Sequence, residues 1–285
     1  MQINTLTQKF LEAHKGYLSE TTMEWYRYYL RPLCESFGER EAASVSLSDL
    51  RNTIFSKPDL SPFSKFNFAR AVKRLFRWSY EEALISENPA RKLRLPPLPK
   101  KSPAGISDEN ISRLLVAAQQ TKSSERDYAL VLFLVETGAR VGGVAALRLG
   151  DVDLQKRRAV VSEKGRGGKK ERLVFFSEQT SGAIQNWLSH RPTTDSDQLF
   201  LLKEHGIYQV LKRLAKHANV EGRWNPHAFR HAFARRLLAR GMSIGVVSHL
   251  MGHSSVQVTL DFYGRFSNDE LQKIYDEYSP KLAAK

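Results

Sequence analysis

The residues that could carry out chemistry are concentrated between Asn225 and Tyr263. His227 and Arg230 are three residues apart, so a helix would place them on one face. His253 and Tyr263 follow, ten residues from each other. An arginine fork binds phosphate oxygens, a histidine can transfer a proton near neutral pH, and a tyrosine hydroxyl can act as a nucleophile. The stretch therefore contains the groups that transfer of a phosphoryl group onto a tyrosine requires.

Each of these residues also has a plainer interpretation. His227 and His253 could be helix-cap or core histidines, and Tyr263 could be a packed aromatic residue. The ordinary pKa of a tyrosine is about 10, so a nucleophilic Tyr263 needs help; we expect nearby cations to lower the pKa of its phenol. The rest of the chain has to decide between the two interpretations.

Two helices are predicted to position this set. The first opens with Asn225 and Pro226, a pair that suits a helix start, and it ends at Gly241. The second covers 243–251 and stops at a glycine directly before His253. The apolar side chains of the first helix recur at helical spacing, which indicates one buried side: Phe229, Phe233, Leu237 and Leu238.

The composition of the chain favours a polyanionic partner. Its 285 residues carry a formal net charge of +14, and the pI is about 9.8, so nucleic acid is the expected partner. Cys34 is the one cysteine, which excludes an intrachain disulfide and a cysteine-rich metal site. The sequence shows no signal-peptide pattern and no apolar run that could span a bilayer. We expect a soluble cytoplasmic protein without a membrane partner.

The sequence predicts two domains and a linker. Residues 1–90 form a helical domain, residues 91–104 a basic proline-rich linker, and residues 105–285 a second domain. Basic residues that could follow a phosphate backbone lie on the fourth helix and in the linker: Lys65, Arg70, Lys73, Arg74, Arg77, Arg91, Lys92, Arg94, Lys100 and Lys101. For those on the helix, a solvated surface is the alternative interpretation.

The second domain is predicted to be a mixed α/β domain, so the whole chain is mainly α with a small β-sheet. Two short strands are predicted at 159–162 and 173–176. The segment between them, EKGRGGKKER, contains three glycines and is expected to be a flexible loop. Its basic residues are further candidates for contact with DNA: Arg166, Lys169 and Lys170.

Other kinds of active site have little support. The glycine-rich segment lacks the Gly-Lys-Ser/Thr of a P-loop, so nucleotide hydrolysis is not favoured. His227 and His231 are four residues apart, but the glutamate of a metalloprotease helix is absent. We therefore expect neither a metal nor a cofactor.

Five motifs occur in one order along the chain: Thr137-Gly138-Ala139-Arg140, Lys164-Gly165, His227-Ala228-Phe229-Arg230, Met251-Gly252-His253 and Tyr263. Together they resemble the tyrosine recombinase (phage integrase) family, including its Xer-type members, over about residues 105–265. The N-terminal helices and the linker resemble the core-binding domain of that family. The resemblance implies a helical core-binding domain and a mixed α/β catalytic domain that close around a DNA duplex.

The resemblance assigns the phosphate-binding and leaving-group roles to three residues. Arg140 and Arg230 match the two arginines that hold the scissile phosphate, and Lys164 matches the lysine that protonates the 5′-oxygen leaving group. Two guanidiniums would offset the charge that develops on the phosphoryl group during transfer. Lys169 and Lys170 remain weaker rivals of Lys164.

The imidazoles and the nucleophile are assigned in the same way. His227 matches a position that handles protons and contacts the phosphate, and His253 matches the second imidazole at the phosphate. Tyr263 matches the nucleophile, which forms a 3′-phosphotyrosyl bond. Tyr275 and Tyr278 are rivals, although their helical spacing indicates packing. The covalent bond conserves the energy of the phosphodiester, so neither ATP nor a metal is needed.

Two departures from the family pattern occur. The family usually has an acidic residue three positions after the first arginine, and Gly143 occupies that position. The orientation of Arg140 must then come from elsewhere, or activity is reduced. The interval from His253 to Tyr263 is one residue longer than in many Xer-type members.

The resemblance implies a site-specific recombinase of double-stranded DNA, active in integration, excision or dimer resolution and associated with the nucleoid. A C-terminal helix at 268–278 is expected to dock on a neighbouring protomer of a tetramer, with docking on its own domain as the alternative. The lack of a further N-terminal arm-binding domain favours a simple recombinase over a lambda-like integrase. Two other functions stay open: relaxing activity like that of a type IB topoisomerase, and a non-catalytic DNA-binding accessory protein, which Gly143 favours.

Overall fold

The computed structural model describes residues 1–56, 60–98, 105–165, 168–253, 255–263 and 272, with the backbone alone at 164, 165, 169, 261 and 262. The chain divides into two compact units, Met1–Lys101 and Ser102–Lys285, each with its own hydrophobic core. Helices dominate both units, and the sheet found among the described residues is small and lies in the second. The predicted class, mainly α with a small β-sheet, is confirmed.

The first unit packs three helices against a fourth. They are α1 (Ile3–Ala13), α2 (Glu20–Phe37), α3 (Leu47–Phe55) and α4 (Pro62–Glu81). Serine side chains accept backbone N–H groups at the starts of α2, α3 and α4, which fixes where these helices begin. The fourth helix contacts the other three through fully buried apolar side chains, including Phe68, Leu75 and Phe76.

The second unit surrounds one apolar helix with the others. Its helices are α5 (Asp108–Ala118), α6 (Ser124–Thr137), α7 (Val141–Ala146), α8 (Glu178–His190), α9 (Glu204–His217), α10 (Pro226–Ala239), α11 (Ile244–Met251) and α12 (Val256–Tyr263). α6 contacts α5, α8 and α10 and is buried on nearly every side. Burial on all sides explains why its sequence is apolar throughout rather than amphipathic.

The sheet is a hairpin with a short third strand at one edge. Strands β1 (Val152–Asp153), β2 (Arg158–Gly165) and β3 (Gly168–Phe175) are antiparallel in the order β1-β2-β3. The prediction of a flexible loop across 163–172 is wrong, because most of that segment is strand. The inward positions of β2 run from Ala159 through Val161 to Glu163, all buried. Because Glu163 is charged, the alternation of apolar and polar residues stops at this position, although the strand itself continues to Gly165.

None of the helices in the described part of the chain combines the length and the hydrophobicity needed to cross a lipid bilayer.

We predict that the core around α6 carries much of the stability of the second unit. Phe133 is fully buried and its ring lies 5.9 Å from that of Phe176 and 6.0 Å from that of Phe200. Phe133→Ala is expected to lower the free energy of unfolding by about 3–5 kcal/mol, because it leaves a cavity. Phe175→Ala removes the same group from a site that is 52% exposed, and should cost less than about 1 kcal/mol. Urea denaturation followed by circular dichroism tests this, and equal losses for both variants would contradict it.

Candidate active site

The ends of two helices form the base of the site. α6 and α11 both stop at a glycine in the left-handed conformation, Gly138 with φ of 55° and Gly252 with φ of 62°. A Cβ atom on Gly138 would lie 2.5 Å from the ring of Phe233, and one on Gly252 would lie 2.8 Å from Cδ of Arg172. The last carbonyl groups of a helix have no partner within it, so both ends present acceptors and a partial negative charge.

Arg230 spans these two helix ends. Its Nη1 donates a hydrogen bond to the carbonyl of Gly138 at 2.7 Å, and its Nη2 donates to the carbonyl of Met251. The residue is only 5% exposed. Burial, and next the charge of Arg140, lower the pKa of Arg230 to about 9, so the guanidinium remains charged at neutral pH. The helix ends thus fix both the position and the orientation of this cation.

One carboxylate contacts the remaining cations. Glu163, on the inner side of β2, is 3% exposed. Its Oε1 accepts a hydrogen bond from the backbone N–H of Arg140 at 2.8 Å, and its Oε2 accepts one from Nη1 of the same residue. Nη2 of Arg172 donates to Oε1 at 2.8 Å, and Nη1 of Arg230 lies 4.0 Å from that oxygen. Arg172 also donates to the carbonyl of Leu250 at the end of α11.

The charge on Glu163 survives its burial. Burial favours the neutral acid and would raise its pKa, but Arg172, the backbone N–H of Arg140 and the charge of Arg230 outweigh it. The net pKa is below the ordinary value for glutamate. One carboxylate therefore lies among three guanidiniums, which leaves the group with a net positive charge.

These residues line a cavity of about 390 Å³. Its walls include Arg140, Glu163, Arg172, Gly252 and His253. Arg140 keeps a third of its side chain exposed, whereas Arg230 is enclosed behind it. A cationic cavity with one exposed guanidinium is suited to a phosphate diester.

The two predicted imidazoles are held neutral. Burial, and next the charges of Arg230 and Arg140, lower the pKa of His253 to about 4. Its Nδ1 and the hydroxyl of Thr259 form a hydrogen bond of 2.7 Å. Partial loss of hydration, with the same two arginines, also lowers the pKa of His227, although its ring is exposed. Near pH 7 both rings can accept a proton.

Tyr263 lies in a small core with Leu238, Val247 and Met251. It is 4% exposed, and its hydroxyl forms a hydrogen bond with Nδ1 of His231. Burial raises the pKa of Tyr263 to about 12, against the opposing charge of Arg230. The expectation that nearby arginines give Tyr263 a lowered pKa is therefore wrong for this state, because burial outweighs them.

Lys164 lies near the end of β2, where its backbone pairs with that of Lys169 across the hairpin. The side chains of both lysines lie outside what the structure describes, so the structure does not choose between them. Lys170 is exposed one residue along β3. Arg166 lies outside the described residues, as do Lys100 and Lys101.

The basic residues of α4 differ in their surroundings. Lys73 donates a hydrogen bond to the carbonyl of Leu93 at 2.7 Å, which ties the chain after the helix to the unit. Arg77 forms an ion pair of 2.8 Å with Glu81, one turn further on. A contact of Lys73 with DNA stays a prediction. It would require the ammonium group to share or give up its bond to Leu93.

The other basic residues of the first unit reach the surface. Arg70 extends over the rings of Trp25 and Phe66, at 5.7 and 5.8 Å from their centroids. Arg74 donates to Nε2 of His14 at 3.3 Å. The remaining candidates are partly or fully exposed: Lys65, Arg91, Lys92 and Arg94.

Three residues of the site were not predicted from the sequence: Glu163, Arg172 and His231. The hairpin pairs Val161 with Arg172 and Glu163 with Lys170. Paired residues and alternate residues of a strand share a face, so this register places Glu163 and Arg172 on one face. The strand prediction ended too early to show this. Nothing in the sequence pairs His231 with Tyr263, because that contact needs α10 and α12 to pack together.

We predict that the low pKa of His253 makes the protein less stable in acid. The unfolded chain binds a proton on this residue below about pH 6.5, whereas the folded protein does so only near pH 4. Stability is therefore fully present above pH 6.5 and falls between pH 6.5 and 4. His253→Gln should reduce that loss by about 1–2 kcal/mol, less than the full shift implies because the ring is partly exposed. Urea unfolding at several pH values measures it, with the exposed His217→Gln as control; equal pH profiles for all three proteins would contradict the prediction.

Several known proteins are similar to this chain in sequence or in structure. A profile of the phage integrase family matches residues 105–270. The tyrosine recombinase XerD of Yersinia pestis is 30% identical, over 98% of this chain and 99% of its own length. The crystal structure of XerA recombinase is 28% identical with a TM-score of 0.55, over 98% of this chain and 100% of that one. The Tn1549 transposon integrase, in complex with a circular intermediate DNA, shares the fold with a TM-score of 0.78 at 23% identity, over 98% and 100% of the two chains.

The family match covers more than half of the chain, and the relatedness to XerD extends over almost all of it. The chain belongs to the phage integrase family of tyrosine recombinases, enzymes that break and rejoin DNA strands.

Proposed function

We propose that this chain recombines double-stranded DNA at specific sites through a covalent bond between Tyr263 and a 3′-phosphate. The observation that carries the proposal is the group of three guanidiniums around Glu163, beside a cavity that Arg140 lines. A phosphate diester bound there would meet Arg140 directly, and Arg230, which is 5% exposed in this state, would reach it after the same change that releases Tyr263. These two cations stabilise the charge that builds up on the phosphoryl oxygens during transfer.

The reaction proceeds by transesterification. The hydroxyl oxygen of Tyr263 forms a bond to phosphorus, and its proton passes to a neutral imidazole, for which His227 is the candidate. The bond from phosphorus to the 5′-oxygen breaks, and Lys164 gives that oxygen a proton. Attack by the 5′-hydroxyl of another strand reverses the step and completes the exchange, with no net consumption of a phosphodiester bond.

The described state is one in which the nucleophile is restrained. Tyr263 is buried, protonated and hydrogen-bonded to His231. A side chain that is 4% exposed cannot reach a phosphate on a DNA duplex. Cleavage therefore requires Tyr263 to leave this small core, and substrate binding is the event we assign to that change.

DNA is the partner. The net charge of +14 and the exposed basic side chains of both units support contact with a polyanion, and the Tn1549 integrase was solved with DNA bound. We assign the first unit to core binding and the second to catalysis, at the nucleoid. Assembly into a tetramer through the C-terminal helix stays a prediction, since 268–271 and 273–278 lie outside the described residues.

The two alternative functions gain no support. A non-catalytic accessory role was favoured by Gly143 alone, and Glu163 now supplies a carboxylate to Arg140. Relaxing activity like that of a type IB topoisomerase would use the same covalent step, and no described feature favours it.

We predict that Tyr263→Phe abolishes covalent capture of DNA and leaves DNA binding unchanged, because the hydroxyl is the nucleophile and contributes to no described DNA-facing surface. Protein mixed with fragmented genomic DNA is stopped in detergent and digested, and the adduct peptide is identified by mass spectrometry. Tyr275→Phe and Tyr278→Phe are the matched controls and should form the adduct at the wild-type level. An adduct that persists in Tyr263→Phe would show that another residue is the nucleophile.

We further predict that the lysine responsible for protonating the leaving group can be identified with a modified substrate. A 5′-bridging sulfur leaves as a thiolate, which needs no proton donor. The cleavage defect of Lys164→Ala, expected to be about 100-fold or more on normal DNA, should largely disappear on this substrate. Lys169→Ala and Lys170→Ala are the controls, with small effects on both substrates. If one of these variants shows the sulfur-dependent rescue instead, that lysine and not Lys164 is the proton donor.

A further inference from the structure

The glycine at position 143 lies against the buried carboxylate-bearing side chain of the site. Gly143, in α7, is buried, and a Cβ atom added to it would lie 2.9 Å from Cγ of Glu163. That carbon is close to the backbone of a residue that is 3% exposed and bonded to arginines, so it cannot swing aside. A larger side chain at position 143 and Glu163 in its present place therefore exclude each other.

Glu163 holds Arg140 at two points. One carboxylate oxygen accepts the backbone N–H of Arg140 and the other accepts its guanidinium, which restricts both the backbone and the rotamer. The same carboxylate separates Arg140 from Arg172 and from Arg230, whose side chains are 9% and 6% exposed. Without an anion at this point, three cations would repel one another in a site with little water to screen them.

We propose that Glu163 is a positioning residue that replaces, from strand β2, the acidic side chain that relatives carry three residues after the first arginine, and that Gly143 is required to leave room for it. The inference rests on the proposed function, in which Arg140 and Arg230 bind the scissile phosphate. Positions 143 and 163 are then coupled. One of them must carry a carboxylate, and the other must be a small residue.

The position of the carboxylate on β2 has a second consequence. Glu163 directly precedes Lys164, so the ion pairs that orient the arginines also anchor the strand that carries the predicted proton donor. Arg172, on β3, adds a second link, since it donates to the carbonyl of Leu250 at the end of α11. In this chain both strands of the hairpin are therefore joined to the group of arginines, and Glu163 makes the connection from β2.

The test moves the carboxylate from one position to the other. Three variants are made in the full chain: Glu163→Gly, Gly143→Glu, and the double substitution. Glu163→Gly should slow formation of the Tyr263–DNA adduct about 100-fold, because Arg140 loses its orientation. Gly143→Glu should slow it by a similar factor, because its side chain displaces Glu163. The double variant should recover to within about tenfold of the wild type, because it again has one carboxylate and one small residue.

Two further variants separate positioning from folding. Glu163→Gln keeps the shape of the side chain and removes its charge, so it should lower the melting temperature and also slow the adduct reaction at temperatures well below that melting point, where the variant is fully folded, while DNA affinity changes little. Gly143→Ala places only a Cβ atom against Glu163. Introduced into the wild-type chain, it should slow the adduct reaction; introduced into the Glu163→Gly variant, it should not slow that reaction further. Asp195→Gly removes an exposed acidic residue from a loop of the same unit, away from this cavity, and is the control, with a wild-type rate expected.

The outcomes distinguish this inference from the proposed function. If the wild type and Asp195→Gly form no adduct on Tyr263, the proposed function fails. If they do, and Glu163→Gly or Glu163→Gln keeps the wild-type rate, Glu163 has no positioning role. A double variant that reacts no faster than either single variant would overturn the exchange between positions 143 and 163. Recovery in the double variant would show that the rate depends on a carboxylate beside the arginines and not on a glutamate on β2. Every rate is measured below the lowest melting temperature of the set, so that loss of folding cannot account for a slow variant.

Discussion

The active site depends on one buried carboxylate among three guanidiniums. Arg140, Arg172 and Arg230 carry like charges in a region with little solvent, and such a group is stable only if anions or oriented dipoles compensate it. Glu163 supplies the single full negative charge, and the carbonyl groups at the ends of α6 and α11 supply partial ones. The compensation is incomplete, and the remaining positive charge is what suits the cavity to the phosphate diester that we propose as its ligand.

This constraint explains why the sequence motifs contain glycines. A helix that ends at a left-handed glycine turns the chain sharply and leaves its last carbonyl groups open to other donors. Gly138 does this two residues before Arg140, and Gly252 immediately before His253. Arg230 then bonds to both helix ends at once. The same cations keep His253 neutral, whereas Tyr263 is far enough into its own core for burial to outweigh them. A cationic cavity and a buried, protonated Tyr263 therefore coexist in one structure.

The sequence predicted what short-range patterns encode. The Asn-Pro pair and the glycines that bound them located α10 and α11 to within about two residues, and the ordered motifs named the family. The predicted strands of the hairpin were too short because Glu163 and Arg172, which point inward, are charged. A charge at an inward position is tolerated only when partners on other elements compensate it. The contact between His231 and Tyr263 was missed for the same reason, since it joins α10 to α12. Local preferences could be inferred from the sequence, whereas contacts between distant elements could not.

The missing acidic residue at position 143 shows the limit of reading a site by position. From the sequence alone, Gly143 was a reason to doubt that Arg140 could be oriented, and so to consider a protein that only binds DNA. An electrostatic requirement is met wherever a charge of the right sign lies within hydrogen-bonding distance, whichever element carries it. Here β2 passes beside α7, and the space left by a glycine on the helix is filled by a glutamate on the strand. The departure from the family pattern at Gly143 and the unexpected buried charge at Glu163 are therefore a single feature, since each makes physical sense only when the other is present.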